Sequence, residues 1–330
     1  MKKVSIYLCC LLIVAIHSCS TEVKQEARKE TQQVTDPLPS WNNTPLKQAI
    51  IAYVTNITNF SSKDFIPVED RIATFDNDGT LWSEKPLVQE LYCFYRVNQL
   101  LAQHPEWKNK QPFKAVAEKD KSYFEKGGMK AFVDLVLATH TGITQDEFEA
   151  SVKDFYATVK YPGATGGIKT VAYQPQRELM DYLRSNGFKV YICTGGTLDF
   201  VRGISMDLYG VPREQVIASS VVYKFDDSLL MREPELDVYN DKEMKPVSIH
   251  RVIGKKPIFA CGNEGGAGDI AMLKYSQSND YPSFQLMVNH NDSIREFYYQ
   301  EKDSASLKAA AQFNWNVISM KDDWKVVYVK

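Results

Sequence analysis

Short apolar runs alternate along the chain with longer segments in which apolar residues recur every three or four positions. Four of the runs read as buried strands, because each is followed by Gly, Thr or Asn and then by a helical pattern. They are residues 72–75, 189–193, 257–261 and 284–288. This strand-loop-helix alternation predicts an α/β fold with a doubly wound, parallel sheet that has helices on its faces.

The segment between the first two of these strands is helical in pattern and contains no strand signal of comparable strength. Three stretches of it have apolar residues at helical spacing, namely residues 86–103, 122–140 and 144–160. The last stretch opens with Thr144 and Glu147, which form the sequence pattern of a capping box. We therefore predict an inserted α-helical region that closes over the end of the first strand.

These patterns divide the chain into a core and a cap. We predict an α/β core made of residues 42–85 and 170–330, into which a helical cap of residues 86–169 is inserted. Because the cap begins shortly after the first strand, it is placed to cover whatever ligand binds there.

The N-terminus has the layout of an export signal. Two lysines precede an uncharged run that ends at Ile16, and this run is too short to cross a bilayer as a permanent helix. A serine then precedes Cys19, which resembles the site at which bacterial lipoproteins are cleaved and acylated. We predict that residues 1–18 are a lipoprotein signal peptide, that Cys19 is acylated, and that the protein is exported and anchored at the periplasmic or outer membrane. The alternative is a plain secretory signal.

The residues that follow contain little that could be buried. Residues 19–41 are mostly polar, so we predict that they form a flexible tether. The membrane contact that we expect is the lipid anchor alone.

Composition excludes several classes of function. The 330 residues are 44% hydrophobic and 24% charged, as in an ordinary globular protein, and the net charge of −2 gives no basic surface for nucleic acid. Outside the signal and Cys19, the cysteines are Cys93, Cys193 and Cys261. Their spacing indicates neither a disulfide framework nor a zinc site, so we expect them in the core. The sequence indicates no oligomeric state.

Two carboxylates, Asp76 and Asp78, follow the first strand. In an open parallel sheet, ligands bind beyond the carboxyl ends of the strands, and residues two apart can face the same pocket. Two neighbouring carboxylates are not both readily ionised unless a cation lies close by. The pair therefore suits divided roles, in which one residue stays ionised on a metal and attacks while the other carries a proton.

Further polar residues follow the other strands. Thr194 and Gly195 come after the second strand and offer a hydroxyl and unobstructed backbone N–H groups, which suit a phosphate. Lys245 precedes a helix and could hold that phosphate as a point charge. Asn263 and Asp269 flank a glycine-rich loop after the third strand and supply oxygen ligands, which suit Mg²⁺.

Each of these residues also has a plain structural interpretation. Asp76 and Asp78 could belong to a solvated turn, Thr194 could cap a helix, Asp269 could be an acid that favours a helix N-terminus, and Lys245 could be a solvated surface residue. A dinucleotide-binding loop is excluded at the third strand, because Asp269 at the next helix start would repel a pyrophosphate.

In order and spacing, these residues resemble the four motifs of the haloacid dehalogenase-like superfamily of hydrolases. The motifs are Asp76-Asn77-Asp78-Gly79-Thr80, a strand ending at Thr194, Lys245, and Gly262-Asn263 with Asp269. The resemblance extends from about Arg71 to Val288. The helical insert lies where that superfamily has its helical cap, as in phosphoserine phosphatases. The resemblance implies a Rossmann-like core with this cap.

The resemblance also implies chemical roles. Asp76 would attack phosphorus to give an aspartyl-phosphate, and Asp78 would protonate the leaving oxygen and then activate water. Thr194, Gly195 and Lys245 would bind the phosphoryl group. True dehalogenases of the family lack the second acid, so Asp78 favours phosphate chemistry.

The implied cofactor is Mg²⁺, held by the Asp76 carboxylate, the backbone carbonyl of Asp78, Asp269 and Asn263. Two features depart from the family pattern. The fourth motif commonly begins Gly-Asp, whereas this chain has Asn263, and Asn263 lies six positions before Asp269, two more than usual. Either the extra glycines form a wider loop, or Glu264 supplies the missing charge.

We therefore predict a Mg²⁺-dependent phosphatase that acts on a small phosphorylated metabolite, for which phosphoserine is a candidate by analogy. One alternative is a phosphotransferase such as a sugar-phosphate mutase, in which a second hydroxyl replaces water as the acceptor. A second alternative is a non-catalytic binding lipoprotein, which the Asn263 substitution favours.

Overall fold

The computed structural model of the protein describes residues 36–265 and 267–329. The predicted signal peptide, the acylated Cys19 and most of the predicted tether lie outside the described residues. The described residues from Pro37 onwards form one compact unit.

A sheet of seven strands lies at the centre of the described residues. In chain order the strands are β1 (Ile72–Phe75), β2 (Lys189–Thr197), β3 (Val216–Asp226), β4 (Leu229–Val238), β5 (Phe259–Asn263), β6 (Phe284–Asn289) and β7 (Asn316–Ser319). Their order across the sheet is β4-β3-β2-β1-β5-β6-β7. Neighbouring strands are parallel except β3 and β4, which form an antiparallel hairpin. The predicted α/β fold with a mainly parallel sheet is confirmed.

Helices lie before, between and after these strands. They are α1 (Pro45–Thr58), α2 (Val88–Gln103), α3 (Phe113–Ala117), α4 (Lys121–His140), α5 (Gln145–Thr158), α6 (Gln174–Ser185), α7 (Leu198–Tyr209), α8 (Met244–Ile253), α9 (Ile270–Gln277), α10 (Ala305–Phe313) and α11 (Met320–Asp323). Helices α2, α4 and α5 lie in the three stretches predicted from apolar spacing, and α3 is a short additional helix between the first two of them. Among the described residues, we find no helix with the length and apolar character that a membrane crossing requires.

Local sequence explains where several helices begin and end. The capping box predicted for α5 is present, since the Thr144 side chain accepts from the Glu147 N–H and the Glu147 side chain accepts from the Thr144 N–H. Helix α7 ends at Gly210, whose φ of 64° is the left-handed conformation that glycine adopts without strain. Helix α4 is kinked at Gly128, where φ is 53° and ψ is −140°.

The apolar core continues from the sheet into the cap. Tyr92 of α2 packs against Phe155 of α5 and Phe200 of α7, with ring centroids 5.3 and 5.1 Å apart. A second, smaller cluster that includes Val97 and Leu135 lies within the cap alone. The inner part of the cap is therefore fixed on the core by shared aromatic packing.

The predicted tether extends too far along the chain. Leu38 and Trp41 are 0% and 2% exposed, although the prediction placed them in the tether that ends at residue 41. The Trp41 indole N–H donates to the Pro175 carbonyl at 2.9 Å, and its ring meets Trp324 edge to face at 6.2 Å. Residues 37–41 belong to the core, because these apolar side chains are buried among residues distant in sequence.

The β3–β4 hairpin joins the cap, which the sequence patterns did not predict. Arg232 of β4 is 2% exposed and donates to the His140 carbonyl, the Gln145 side chain and the Asp199 carboxylate, each at 2.6 Å. Its guanidinium also lies 3.8 Å from the ring centroid of Phe148. One buried cation thus connects the hairpin to α4, α5 and α7.

The three cysteines are buried as expected, Cys193 and Cys261 in the core and Cys93 in the apolar cluster of the cap. Cys93, Cys193 and Cys261 are buried and carry free thiols. Burial raises the pKa of Cys93 and Cys193 to about 12, so these thiols stay protonated at neutral pH.

Candidate active site

The carboxyl ends of β1, β2 and β5 meet at one edge of the sheet, and a cavity of about 210 Å³ opens there. All of the residues predicted for catalysis, substrate binding or metal binding line this cavity. They are Asp76, Asp78, Thr194, Gly195, Lys245, Asn263 and Asp269. The structure therefore brings the predicted residues together, while their chemical roles stay predictions.

Lys245 lies at the centre of the polar floor of the cavity. It sits in the first turn of α8 and donates from Nζ to Asp76 Oδ1 at 2.7 Å and to Asp269 Oδ1 at 2.5 Å. All three side chains are buried. Burial alone would lower the pKa of Lys245, but the Asp269 and Asp76 carboxylates raise it well above its usual value. The solvated-surface interpretation of Lys245 is therefore wrong.

The floor holds more negative charge than Lys245 can balance. The pKa of Asp76 is raised well above its usual value by burial and by the Asp269 carboxylate, with Lys245 acting in the opposite direction. Two buried carboxylates thus share one ammonium group. Such an excess of buried negative charge is stabilised by a further cation.

Asp78 lies in a tight turn after β1. Its Oδ1 accepts from the Trp82 indole N–H at 2.8 Å, and Gly79 adopts a φ of 72° to let the turn close. Burial raises the pKa of Asp78 to about 6; the Trp82 hydrogen bond opposes this shift and Glu84 adds to it. A carboxyl group that titrates near neutral pH can both donate and accept a proton.

Thr194 and Gly195 are held by hydrogen bonds within the core. The Thr194 hydroxyl accepts from the Gly196 N–H at 3.1 Å, and the Thr194 carbonyl accepts from Asn240 Nδ2 at 2.9 Å. The Gly195 carbonyl accepts from the Ser219 hydroxyl at 2.8 Å. Thr194 lies within β2, which extends beyond its predicted end at residue 193, so Thr194 does not cap α7. Its O–H group can donate into the cavity.

Asn263 and Asp269 are hydrogen-bonded to each other, and each also contacts other residues of the site. Asp269 Oδ2 accepts from the Asn263 backbone N–H at 3.0 Å, while Oδ1 accepts from Lys245. Asn263 Nδ2 lies 3.4 Å from Glu84 Oε1 and 3.2 Å from the Tyr299 hydroxyl oxygen. Asp269 lies at the N-cap position of α9, as its structural interpretation expects, but its side chain makes no capping hydrogen bond there and instead bonds Lys245 and Asn263.

The donor chemistry of the floor fits Mg²⁺. Asp76 Oδ2 has only a long 3.4 Å contact with Thr80, and the Asp78 carbonyl and the Asn263 amide add neutral oxygens, which are the ligands that Mg²⁺ prefers. In the described ranges, no group of three or more His, Cys, Asp or Glu side chains is arranged to hold a metal ion. Both Asp269 oxygens are engaged by nitrogen donors, so metal binding by Asp269 stays a prediction.

Glu264 does not line this cavity. It is 0% exposed, and its Oε1 accepts from the Glu301 N–H at 3.1 Å. It lines a second cavity together with Glu84 and Tyr299. Of the two residues proposed to complete the metal site, Asn263 is the one that lines the same cavity as Asp76 and Asp78.

Gln89 of the cap was not among the predicted site residues. It is buried and lines the cavity, and its amide bonds both the hydroxyl and the backbone N–H of Thr197, at 3.1 and 3.0 Å. A polar residue on the buried face of an amphipathic helix is the signal that could have identified it. This contact fixes the cap against the end of β2, which carries Thr194.

Comparison with known proteins places the fold. A model of the haloacid dehalogenase-like hydrolase family matches residues 73–274, more than half of the chain. A conserved, functionally unknown protein from Anaerococcus prevotii has a similar structure, with 16% identity and a TM-score of 0.56, covering 83% of this chain and 91% of that chain. A phosphoserine phosphohydrolase-like protein from Francisella tularensis is 19% identical, with a TM-score of 0.41 and coverage of 75% and 94%. A comparison with curated protein sequences found no match. At 16% identity, the likeness to the Anaerococcus prevotii protein is one of fold.

Proposed function

Because the chain belongs to the haloacid dehalogenase-like hydrolases, we propose that it is a phosphatase that hydrolyses a small phosphomonoester through a phosphoryl group carried on Asp76. One observation carries the proposal. Asp76 is bonded to Lys245 at the floor of a cavity that also contains Asp78 and Thr194. A nucleophile, a proton carrier and two groups that bind phosphate thus share one cavity.

In the first step, Asp76 Oδ2 attacks phosphorus and the bond between phosphorus and the ester oxygen breaks. Asp78 gives its proton to the departing oxygen, so the alcohol leaves uncharged. Lys245 and the Thr194 hydroxyl bind the phosphoryl oxygens, where negative charge develops. The products of this step are the alcohol and a phosphorylated Asp76.

In the second step, Asp78, now ionised, accepts a proton from water as the water oxygen attacks phosphorus. The bond between phosphorus and the Asp76 oxygen breaks, and inorganic phosphate leaves. The pKa of about 6 at Asp78 supports both halves of this exchange near neutral pH.

Mg²⁺ would be held by the Asp76 carboxylate, the Asp78 carbonyl and Asn263, with Asp269 as the further predicted ligand. When bound, it supplies positive charge that offsets the phosphate and the carboxylates. The excess of buried carboxylate over ammonium on the floor supports this proposal.

The proposal is tested by phosphate release from phenyl phosphate in Mg²⁺, with EDTA as the control for metal. We expect turnover in the wild-type protein and its loss in Asp76→Asn, with the fold retained by circular dichroism. Asp134→Asn, a change on an exposed cap position paired with Lys130, is the matched control and should stay active. Turnover that survives Asp76→Asn would contradict the mechanism, and absence of turnover in the wild type would favour the binding-lipoprotein alternative.

The same assay separates hydrolase from phosphotransferase. Release of one phosphate for each alcohol formed supports hydrolysis, whereas transfer to an added sugar or sugar phosphate supports the mutase-like alternative. Phosphoserine, the candidate supplied by resemblance, belongs in the substrate panel.

Export as a lipoprotein is a proposal that rests on the N-terminal sequence alone. Incorporation of labelled palmitate by producing cells, and its loss in Cys19→Ser, would support it. A protein that is exported without the label would favour the plain secretory signal.

A further inference from the structure

The cavity has a polar floor from the core and an apolar wall from the cap and the hairpin. The apolar lining includes Leu87 before α2, Phe132, Val133 and Val136 on α4, and Leu236 on β4. A phosphoryl group that binds Lys245 on the floor leaves the rest of the ester to face these side chains. The chemistry of the wall therefore selects the alcohol part of the substrate.

The lining carries almost no positive charge. Among the described residues that line the cavity, Lys245 is the one cation, and it is already bonded to Asp76 and Asp269. Glu84 and Asp241 add two further acids. A carboxylate or a second phosphate on the alcohol would therefore lose its hydration next to acids and find no basic partner, which is strongly unfavourable.

Two neutral polar side chains of the lining, Gln89 and Ser219, are already engaged. Both ends of the Gln89 amide bond Thr197. The Ser219 hydroxyl donates to the Gly195 carbonyl and accepts from the Asn240 N–H. Sugar hydroxyls placed against the wall would lose water and gain few hydrogen bonds in return, which costs free energy.

We propose that the natural substrate is the phosphomonoester of a small, uncharged, apolar alcohol, such as a single-ring aryl or a short alkyl alcohol. This inference rests on the phosphatase function proposed above and names its substrate class. The cavity volume of about 210 Å³ lies below the ~300–1,000 Å³ of typical ligand pockets, so the alcohol is small. Phosphoserine, with its carboxylate, is a poor substrate under this proposal.

The first test is a matched pair of substrates. Phenyl phosphate and para-carboxyphenyl phosphate differ by one negative charge on the alcohol. We expect kcat/KM in Mg²⁺ to be at least about tenfold higher for phenyl phosphate, since about 1.4 kcal/mol of unpaired charge gives that factor, and we expect phosphoserine to be hydrolysed more slowly still. Equal or faster hydrolysis of the charged esters would overturn this inference.

The second test introduces a positive charge into the apolar wall. Val133→Arg places a cation on the α4 face that lines the cavity, and we expect it to raise the ratio of kcat/KM for para-carboxyphenyl phosphate over phenyl phosphate by about tenfold. Val252→Arg is the matched control, because Val252 is 53% exposed on α8 and does not line the cavity, so the ratio should not change. A ratio that is unchanged in Val133→Arg would overturn the proposal that this wall contacts the alcohol part of the substrate.

The two proposals fail in distinguishable ways. Phosphate release that favours charged alcohols overturns the substrate class and leaves the phosphatase function standing. No release from any ester, neutral or charged, overturns the phosphatase function and this inference with it.

Discussion

The charge balance of the site depends on Lys245. Its ammonium contacts Asp76 at 2.7 Å and Asp269 at 2.5 Å, and all three side chains are buried. Lys245→Met keeps most of the apolar length of the side chain and removes the positive charge. In EDTA, two buried carboxylates would then face each other without a cation between them.

The magnitude follows from the loss of one partner of a buried ion pair, which costs about 3–5 kcal/mol. Part of this cost is the shift in pKa of the two remaining carboxylates, which are not both readily ionised without a cation. We expect Lys245→Met to lower the free energy of unfolding by about this amount. Asp269→Asn leaves the balanced Asp76–Lys245 pair, so it should lower the free energy of unfolding by less than Lys245→Met does. The double variant holds one buried carboxylate instead of two, so it should be more stable than Lys245→Met alone.

The assay is urea denaturation followed by circular dichroism in EDTA at neutral pH. Lys255→Met is the matched control, because Lys255 makes an exposed pair with Asp70 and its loss should change the free energy of unfolding by no more than about 1 kcal/mol. The reasoning is refuted if Lys245→Met is as stable as the wild type, or if the double variant is less stable than Lys245→Met.

Three further predictions concern stability. Arg232→Met should lower the free energy of unfolding by about 3 kcal/mol, because the buried Asp199 carboxylate loses its buried cation and keeps only Arg202, at 3.3 Å; Arg213→Met, at an exposed pair, should cost no more than about 1 kcal/mol in the same urea titration. Gly79→Ala should cost at least about 1–3 kcal/mol, since alanine disfavours the φ of 72° and its Cβ would lie 2.0 Å from a neighbouring amide nitrogen; a wild-type urea midpoint would contradict this. Burial, together with the nearby Arg232 guanidinium, holds the pKa of His140 well below its usual value. The unfolded chain therefore binds a proton below pH ~6.5 that the folded chain does not, and stability falls by up to about 1.4 kcal/mol per pH unit as pH drops. In thermal melts, His140→Gln should lose less stability at low pH than the wild type does. A pH profile of the variant that runs parallel to that of the wild type would contradict this prediction.

The floor of the site could be predicted because its residues follow strand ends. Apolar runs identify the strands, and parallel strands bring their carboxyl ends to one edge. Asp76, Thr194 and Asn263 were therefore expected to converge, and they do. Lys245 was predicted from the order of the motifs. Its position in the first turn of α8 directs its ammonium group at the Asp76 and Asp269 carboxylates.

The contacts that surround the floor could not be predicted in this way. Gln89 reaches Thr197 across 108 positions of the chain, and Asn263 reaches Tyr299 across 36. Single amide or hydroxyl contacts leave no periodic pattern, since they depend on how whole elements pack. The burial of Trp41 was missed for the same reason, because one aromatic residue at the end of a polar segment has no local partner.

The central claim is that Asp76 carries the phosphoryl group. The direct measurement is mass spectrometry of Asp78→Asn after incubation with para-nitrophenyl phosphate in Mg²⁺ and quenching in acid. This alcohol leaves with little help from a proton donor, whereas water attack needs the missing acid, so we predict that one phosphoryl group accumulates on the peptide that contains Asp76. Phosphate release without any label on that peptide, or a label on another residue, would contradict the claim.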